Sequence, residues 1–203
     1  RLQGDWSSDV CSSDLKETGE IVDNCQKRPQ RLFEERELSV DECAGYLQKA
    51  INLLKSQTAA SDGSEGSLKV IITVSPIRYA KYGYHGSQLS KATLLLAADK
   101  LVKENPGVVS YFPAYEIMND ELRDYRFYKE DMLHPSEQAV EYIWERFRAT
   151  YFGKEAEQFL EDWRPIREAL GHKPFHPESE EHQKFIARTE EKKRQFEEKY
   201  HLL

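Results

Sequence analysis

The segment Lys69–Pro76, with the sequence KVIITVSP, constrains the fold more than any other part of the chain. Its β-branched residues follow one another instead of alternating with polar residues, and a Ser-Pro pair ends the run. This pattern predicts a strand that is buried on both faces, which is typical of a parallel sheet. Neighbouring parallel strands are joined by crossover helices, so we expect an α/β protein.

The segments on either side supply the elements that such a sheet needs. Ser39 can cap an amphipathic helix, and a second helix is predicted from Ser90 to about Glu104, where Asn-Pro-Gly stops it. A second strand is predicted over Val108–Met118, with a bulge or bend at Pro113. A third helix, with apolar residues at three- and four-residue spacing, should start at Pro135. Strands alternating with helices favour an α/β sandwich.

Composition excludes several classes of partner. The net charge of −7 is spread over the 203 residues without a basic stripe, which argues against a nucleic-acid partner. No apolar run reaches membrane-spanning length, and no signal-peptide pattern is visible, so we expect no membrane partner. Cys25 and Cys43 are too few for a disulfide framework or a zinc site. A reducing compartment, the cytoplasm, is therefore expected.

Residues 1–15 differ in character from the rest of the chain. They contain a near-repeat of Ser-Ser-Asp with no helix or strand period, and residues 5–15 can be encoded by a string that looks like a short-read sequencing adapter. We therefore expect residues 1–15 to be a disordered artefact, with native sequence starting near Lys16 and the true N-terminus missing. The alternative is a natural disordered serine-rich leader. Residues 16–152 should form the main domain, and the highly charged residues 153–203 a helical appendage.

The run Lys129–Ser136 carries the clearest chemical pattern. Asp131 stands three residues before His134, and Pro135 biases His134 away from helical geometry. A histidine that acts as a general base needs an acceptor on one ring nitrogen, and a nearby aspartate can supply it. The alternative is structural: a capping aspartate and a partly buried histidine at a junction between a loop and a helix.

Taken together, these segments resemble the GSCFA family, a bacterial branch of the SGNH (GDSL-like) hydrolases. The resemblance covers nearly everything from Lys16 to about Phe152. The stretches that carry it are Thr73–Arg78, Gln88–Ala97, Tyr111–Met118, Asp120–Tyr128, Asp131–Ser136 and the loop at Asn24–Cys25.

The resemblance implies an SGNH-like three-layer α/β/α sandwich with a parallel sheet, incomplete here, in which Asp131 and His134 are the catalytic acid and base. The nucleophilic serine of the family belongs to a Gly-Ser-Cys-Phe-Ala signature that this sequence lacks, so this fragment should be inactive. Asn24 is a candidate oxyanion donor or an ordinary loop asparagine. Gln26 and Ser87 depart from the residues expected in relatives, which leaves the neighbourhoods of Asn24 and His85 open.

Several basic side chains are candidates for the rim of a substrate site, where they would bind an anionic or polyhydroxyl substrate. They are Arg78, His85, Lys91, Arg123 and Arg126. Ion pairing with Glu116, Asp120 and Asp124 is the alternative role.

Another serine could in principle act as the nucleophile. Ser75 ends a strand, as nucleophiles often do, but its Ser-Pro pair is also explained as a turn. Ser90 is predicted to cap its helix, and Ser136 to lie in the first turn of the next helix.

The predicted function is that of a serine esterase or acyl hydrolase acting on a small-molecule or carbohydrate ester, with no metal or organic cofactor. One rival is a non-catalytic module that binds carbohydrate or protein on the same fold. Another is a metal-dependent hydrolase, in which Asp131, His134 and His85 approach one another.

Overall fold

A computed structural model describes residues 11–19, 21–22, 29–62, 68–80, 83–174 and 178–202. The chain divides into two compact units, Arg1–Ile143 and Trp144–Leu203. No helix in the described ranges is both long enough and apolar enough to cross a membrane.

The first unit mixes strands and helices, and the second is helical. The strands are β1 (Cys11–Leu15), β2 (Ile21–Val22), β3 (Phe33–Glu37), β4 (Val70–Ile72) and β5 (Val109–Tyr111). The α-helices are α1 (Val40–Asp62), α2 (Gly83–Glu104), α3 (Ala114–Glu116), α4 (Glu137–Tyr151), α5 (Lys154–Gly171) and α6 (Glu180–Lys199). Short 3₁₀ turns cover Gln30–Leu32 and Tyr125–Phe127, and a π-helical turn covers Ile117–Glu121.

Strands β4 and β5 pair in parallel, which confirms the predicted α/β class with a parallel sheet. Val70 lies opposite Val109, and Ile72 lies opposite Tyr111. The described sheet has two strands, so it does not by itself amount to a three-layer sandwich. The prediction that β4 is buried on both faces is wrong, because Ile71 is 39% exposed. Successive side chains of a strand point to opposite faces of the sheet. Val70 and Ile72 therefore share one face, which packs on the helices, and Ile71 lies on the other.

The core of the first unit lies between α1, α2 and the parallel strands. Its buried residues are Cys43, Ala44 and Ile51 from α1, Ala97 and Leu101 from α2, and Val109 from β5. Their spacing along each helix is that of one apolar face, which is why two otherwise polar helices pack here. Helix α1 begins with the predicted cap at Ser39. The Ser39 hydroxyl accepts the Glu42 N–H at 3.2 Å, and the Glu42 carboxylate accepts the Ser39 N–H at 2.9 Å.

Helix α2 begins at Gly83, well before the predicted start at Ser90. Gly83 has a φ of +74°, and its N–H donates to the Ala80 carbonyl, so a turn leads directly into the helix. Gly86, a poor helix former, obscured this first part of the helix in the sequence. Ser90 is therefore a buried residue inside the helix and not its cap.

The second predicted strand ends much earlier than Met118. Strand β5 stops at Tyr111, and the chain turns at Pro113 into α3 and the π-helical turn. Ala114, Ile117 and Met118 are buried. Their three- and four-residue spacing is the period of a helix, and this period prevails over the strand propensity of the segment.

Strands β1, β2 and β3 form an antiparallel sheet in the order β2-β1-β3. The expected disorder of residues 1–15 is therefore wrong for Cys11–Leu15, which pairs with Phe33–Glu37 along its whole length. Strand pairing joins backbone groups, so a serine-rich composition does not prevent it. Residues 1–10 lie outside the described ranges, and the adapter origin of this segment stays a prediction.

The second unit contains the helices predicted for residues 153–203. Helices α5 and α6 pack through aromatic side chains, with the Phe159 and Phe196 rings 4.8 Å apart and the Trp163 and Phe196 rings 5.1 Å apart. The Lys199 ammonium and the Tyr200 hydroxyl both donate to the Asp162 carboxylate. Ring contacts and these hydrogen bonds together join the two helices.

We predict that Leu101→Ala destabilises the chain by about 2–5 kcal/mol, because Leu101 is fully buried and its truncation leaves a cavity. Leu96→Ala on the same helix is the matched control, since Leu96 is 58% exposed, and it should change stability by less than about 0.5 kcal/mol. Urea unfolding followed by circular dichroism measures both. Equal effects of the two substitutions would contradict the packing of α2 described above.

Candidate active site

The segment between Tyr128 and Ser136 folds back on itself as a short closed loop. Tyr128 and Pro135 form an antiparallel bridge, and the Lys129 N–H donates to the His134 carbonyl at 2.8 Å. At the tip, the Met132 N–H donates to the Lys129 carbonyl at 2.9 Å, and Met132 has a φ of +60°. The bridge therefore brings the two ends of the loop together and fixes the direction of the residues between them.

The loop rests on a small apolar cluster. Met118 and Ala139 are fully buried there, together with Leu122 and Tyr128, and Met132 packs against them. Ala139 belongs to the first turn of α4, so the helix that follows the loop is part of its support. This packing stabilises the backbone of the loop that contains Asp131 and His134.

Asp131 accepts three hydrogen bonds within this loop. Its Oδ1 accepts the backbone N–H groups of Leu133 at 2.8 Å and His134 at 3.0 Å. Its Oδ2 lies 2.6 Å from Nδ1 of His134. The contact that the sequence spacing predicted is therefore present, and the same carboxylate also shapes the turn between the two residues.

These donors keep the carboxylate ionised. The backbone N–H of His134, that of Leu133 and then the His134 ring lower the pKa of Asp131 from its usual 3.8 to about 2. Hydrogen bonds to a carboxylate favour its charged form, which explains the direction of the shift. An ionised Asp131 can accept the Nδ1 proton of His134 and so fix the tautomer of the neutral ring.

The His134 ring is accessible. Its side chain is 51% exposed, and among the described residues only Asp131 bonds to the ring. The second nitrogen, Nε2, is therefore available to a reacting group. This arrangement disfavours the alternative of a partly buried structural histidine.

The cap of α4 is Ser136 and not Asp131. The Ser136 hydroxyl accepts the Ala139 N–H at 3.3 Å, and the helix begins at Glu137. The prediction that Pro135 occupies the first helical position is thus wrong, because Pro135 pairs with Tyr128 in the bridge. The bridge uses the extended conformation that proline accepts as readily as a helix start.

Arg78 connects the loop after β4 to this site. Its backbone N–H donates to the Leu133 carbonyl at 3.0 Å, and its guanidinium lies 3.5 Å from the Met132 carbonyl. The guanidinium also lies over the Tyr128 ring, 4.0 Å from the ring centre. The sequence predicted Arg78 as a residue of the site but not Tyr128, the aromatic ring on which Arg78 packs. The position of Tyr128 directly before the run Lys129–Ser136 was the only signal in the sequence that could have indicated it.

The remaining predicted rim residues have different environments. Arg123 and Arg126 are exposed, and Arg126 forms an ion pair with Asp124 at 3.2 Å, so the ion-pairing alternative is confirmed for that pair. Lys91 is only 2% exposed, so its placement on the rim is wrong. Lys91 lies one helical turn after Ser87, on the same buried face of α2. His85 lies exposed on α2.

Ser75 and His85 have no part in the described contacts of Asp131 and His134. The Ser75 hydroxyl accepts the Ile77 N–H at 3.4 Å, which is the expected local turn. Asn24, the candidate oxyanion donor, lies outside the described residues. Within the described ranges, no group of three or more His, Cys, Asp or Glu side chains could hold a metal ion, so His85 does not form a metal site with Asp131 and His134.

Comparison with known proteins adds a family assignment. The family model described as "GSCFA family" matches residues 13–147. A second model, described as "GSCFA domain protein, C-terminal domain", matches residues 163–203. No curated protein and no solved structure matches the chain.

We predict that the pKa of Asp131, measured by carbon-detected NMR, is near 2 and rises only in part in His134→Ala. The two backbone donors remain in this variant, so the pKa should stay below 3.8. Because the folded-state pKa is the lower one, the stabilisation from ionised Asp131 is present above about pH 4 and is lost as the pH falls towards 2. The pKa of Asp124, lowered by Arg126, is the internal control and should not move. A return of Asp131 to 3.8 in His134→Ala would contradict the described loop.

Proposed function

This chain belongs to the GSCFA family, and we propose that it carries the acid and base of an SGNH-type serine esterase or acyl hydrolase. The proposal includes the α/β/α sandwich of which β4, β5 and their helices would be a part. The observation that carries it is the 2.6 Å contact between Asp131 Oδ2 and His134 Nδ1 in an exposed loop, with Nε2 available.

The chemistry follows from the two nitrogens of His134. Asp131 holds the proton on Nδ1, which leaves the Nε2 lone pair free to accept the proton of a serine hydroxyl. As the serine oxygen attacks the ester carbonyl, the imidazole becomes an imidazolium, and the adjacent carboxylate stabilises its charge. The Nε2 proton then passes to the leaving alcohol, which departs as the acyl-enzyme forms.

The second half of the reaction uses the same groups. His134 accepts a proton from water, the resulting hydroxide attacks the acyl-enzyme, and the serine leaves with the proton returned from Nε2. In this proposal the serine belongs to a segment outside the 203 residues. Asn24 would donate to the oxyanion of each tetrahedral intermediate. The low pKa of Asp131 supports the scheme, because its carboxylate stays charged when the imidazolium forms.

A non-catalytic binding module is the second candidate. The described residues are compatible with it, because no serine hydroxyl among them forms a hydrogen bond with His134. A fold shared with hydrolases does not decide between catalysis and binding. The two functions differ in whether His134 activates a nucleophile, and a covalent probe detects that difference.

We predict that the protein expressed with its upstream sequence reacts with a fluorophosphonate probe, and that Asp131→Asn slows labelling by about 10³–10⁴-fold. The asparagine side chain cannot hold the imidazole in the same tautomer or stabilise its charge. Glu130→Gln, next to it in the same exposed loop, removes the same charge and should label at nearly the wild-type rate. The 203-residue chain alone should not label.

Two results would contradict the proposal. The first is a folded protein with its upstream sequence that the probe does not label, and this result would favour the binding module. The second is an equal effect of Asp131→Asn and Glu130→Gln, which would mean that only the net charge of the loop matters.

A further inference from the structure

A small cavity of about 230 Å³ adjoins the loop that carries Asp131 and His134. Its lining includes the side chains of Arg78, Asn119, Arg123, Asp124, Tyr125 and Tyr128. The residues come from the loop after β4, from the π-helical turn and from the segment that follows it. A cavity of this size is below the usual range for a whole small-molecule ligand, so it suits one functional group of a larger molecule.

Arg78 is held in place on one side of the cavity. Its backbone N–H bonds to Leu133, and its guanidinium is fixed by the Tyr128 ring and the Met132 carbonyl. A guanidinium carries five N–H donors, and these contacts use only a small part of them. The same residue therefore touches the Asp131–His134 loop and presents positive charge to the cavity.

The charge balance of the cavity is positive. Asp124 is its one carboxylate, and both of its oxygens accept from Arg126, which does not line the cavity. The two guanidinium groups of Arg78 and Arg123 are thus opposed by a carboxylate that already has a partner. Arg123 is exposed and has no hydrogen-bond or ion-pair partner among the described residues.

Hydrogen-bond donors also outnumber free acceptors. The side-chain amide nitrogen of Asn119 donates to the Tyr115 carbonyl at 2.7 Å. The side-chain oxygen of Asn119 is then the acceptor that this residue can offer to a ligand. The guanidinium of Arg123 and the hydroxyl of the exposed Tyr125 remain as donors. A polyhydroxyl group needs donors and acceptors in similar number, whereas a carboxylate or phosphate needs donors and positive charge.

We infer that this cavity binds an anionic oxygen group, a carboxylate or phosphate, of the substrate molecule whose ester bond lies at His134. The substrate part of this inference rests on the proposed function, whereas binding of the anion does not. Guanidinium groups suit this ligand because their paired N–H donors match the spacing of its oxygens.

The test uses the 203-residue chain and two probes, inorganic phosphate and succinate, followed by ¹⁵N NMR at constant ionic strength. Phosphate, succinate or both should cause saturable shifts at the N–H groups of Asn119, Arg123 and Tyr125. Arg123→Gln should weaken binding about tenfold, the loss of one charge-assisted hydrogen bond. Lys129→Gln is the control of equal charge, because Lys129 is exposed and lies outside the cavity lining, and it should weaken binding less than twofold.

Absence of saturable shifts with both anions would overturn the inference, and so would equal weakening by Arg123→Gln and Lys129→Gln. Arg123→Lys keeps the charge without the paired donors and should bind with intermediate affinity, which guards against a folding defect in the glutamine variant. His134→Ala should bind phosphate as the wild type does. Anion binding without fluorophosphonate labelling of the longer protein would refute the proposed hydrolase alone, and labelling without anion binding would refute the anion site alone.

Discussion

The carboxylate of Asp131 is the group on which the site depends. It accepts the N–H groups of Leu133 and His134 and also the imidazole, so one side chain shapes the turn and aims the ring that the turn carries. The Tyr128–Pro135 bridge closes the loop, and Arg78 holds it from the side of β4. Loss of the carboxylate would therefore affect the backbone of the loop as well as the charge beside His134.

The features that the sequence predicted correctly are mostly local. The three-residue spacing of Asp131 and His134, the cap at Ser39 and the parallel strand at Val70–Ile72 each depend on a few neighbouring residues. Local hydrogen bonds and periodicity leave a direct trace in the residue order. The family assignment also came from such stretches, and the model match over residues 13–147 confirms it.

The features that the sequence did not predict depend on packing between distant segments. Lys91 is predicted as a surface cation, yet it lies on the buried face of α2. The segment after Tyr111 has residues that favour strands, but Ala114, Ile117 and Met118 are buried at helical spacing instead. Tyr128 belongs to the site because its ring packs against the guanidinium of Arg78, which lies fifty residues earlier in the chain. None of these contacts is visible in a window of neighbouring residues, so tertiary burial overrode local propensity.

The tautomer of His134 tests the central claim most directly. Long-range ¹H–¹⁵N correlation spectra of the neutral ring distinguish a protonated Nδ1 from a protonated Nε2. The contact with Asp131 predicts that the proton resides on Nδ1 and that Nε2 carries the lone pair. A ring protonated mainly on Nε2, or one that exchanges evenly between both forms, would contradict the account, because the imidazole would then not be held as a base towards an incoming hydroxyl group.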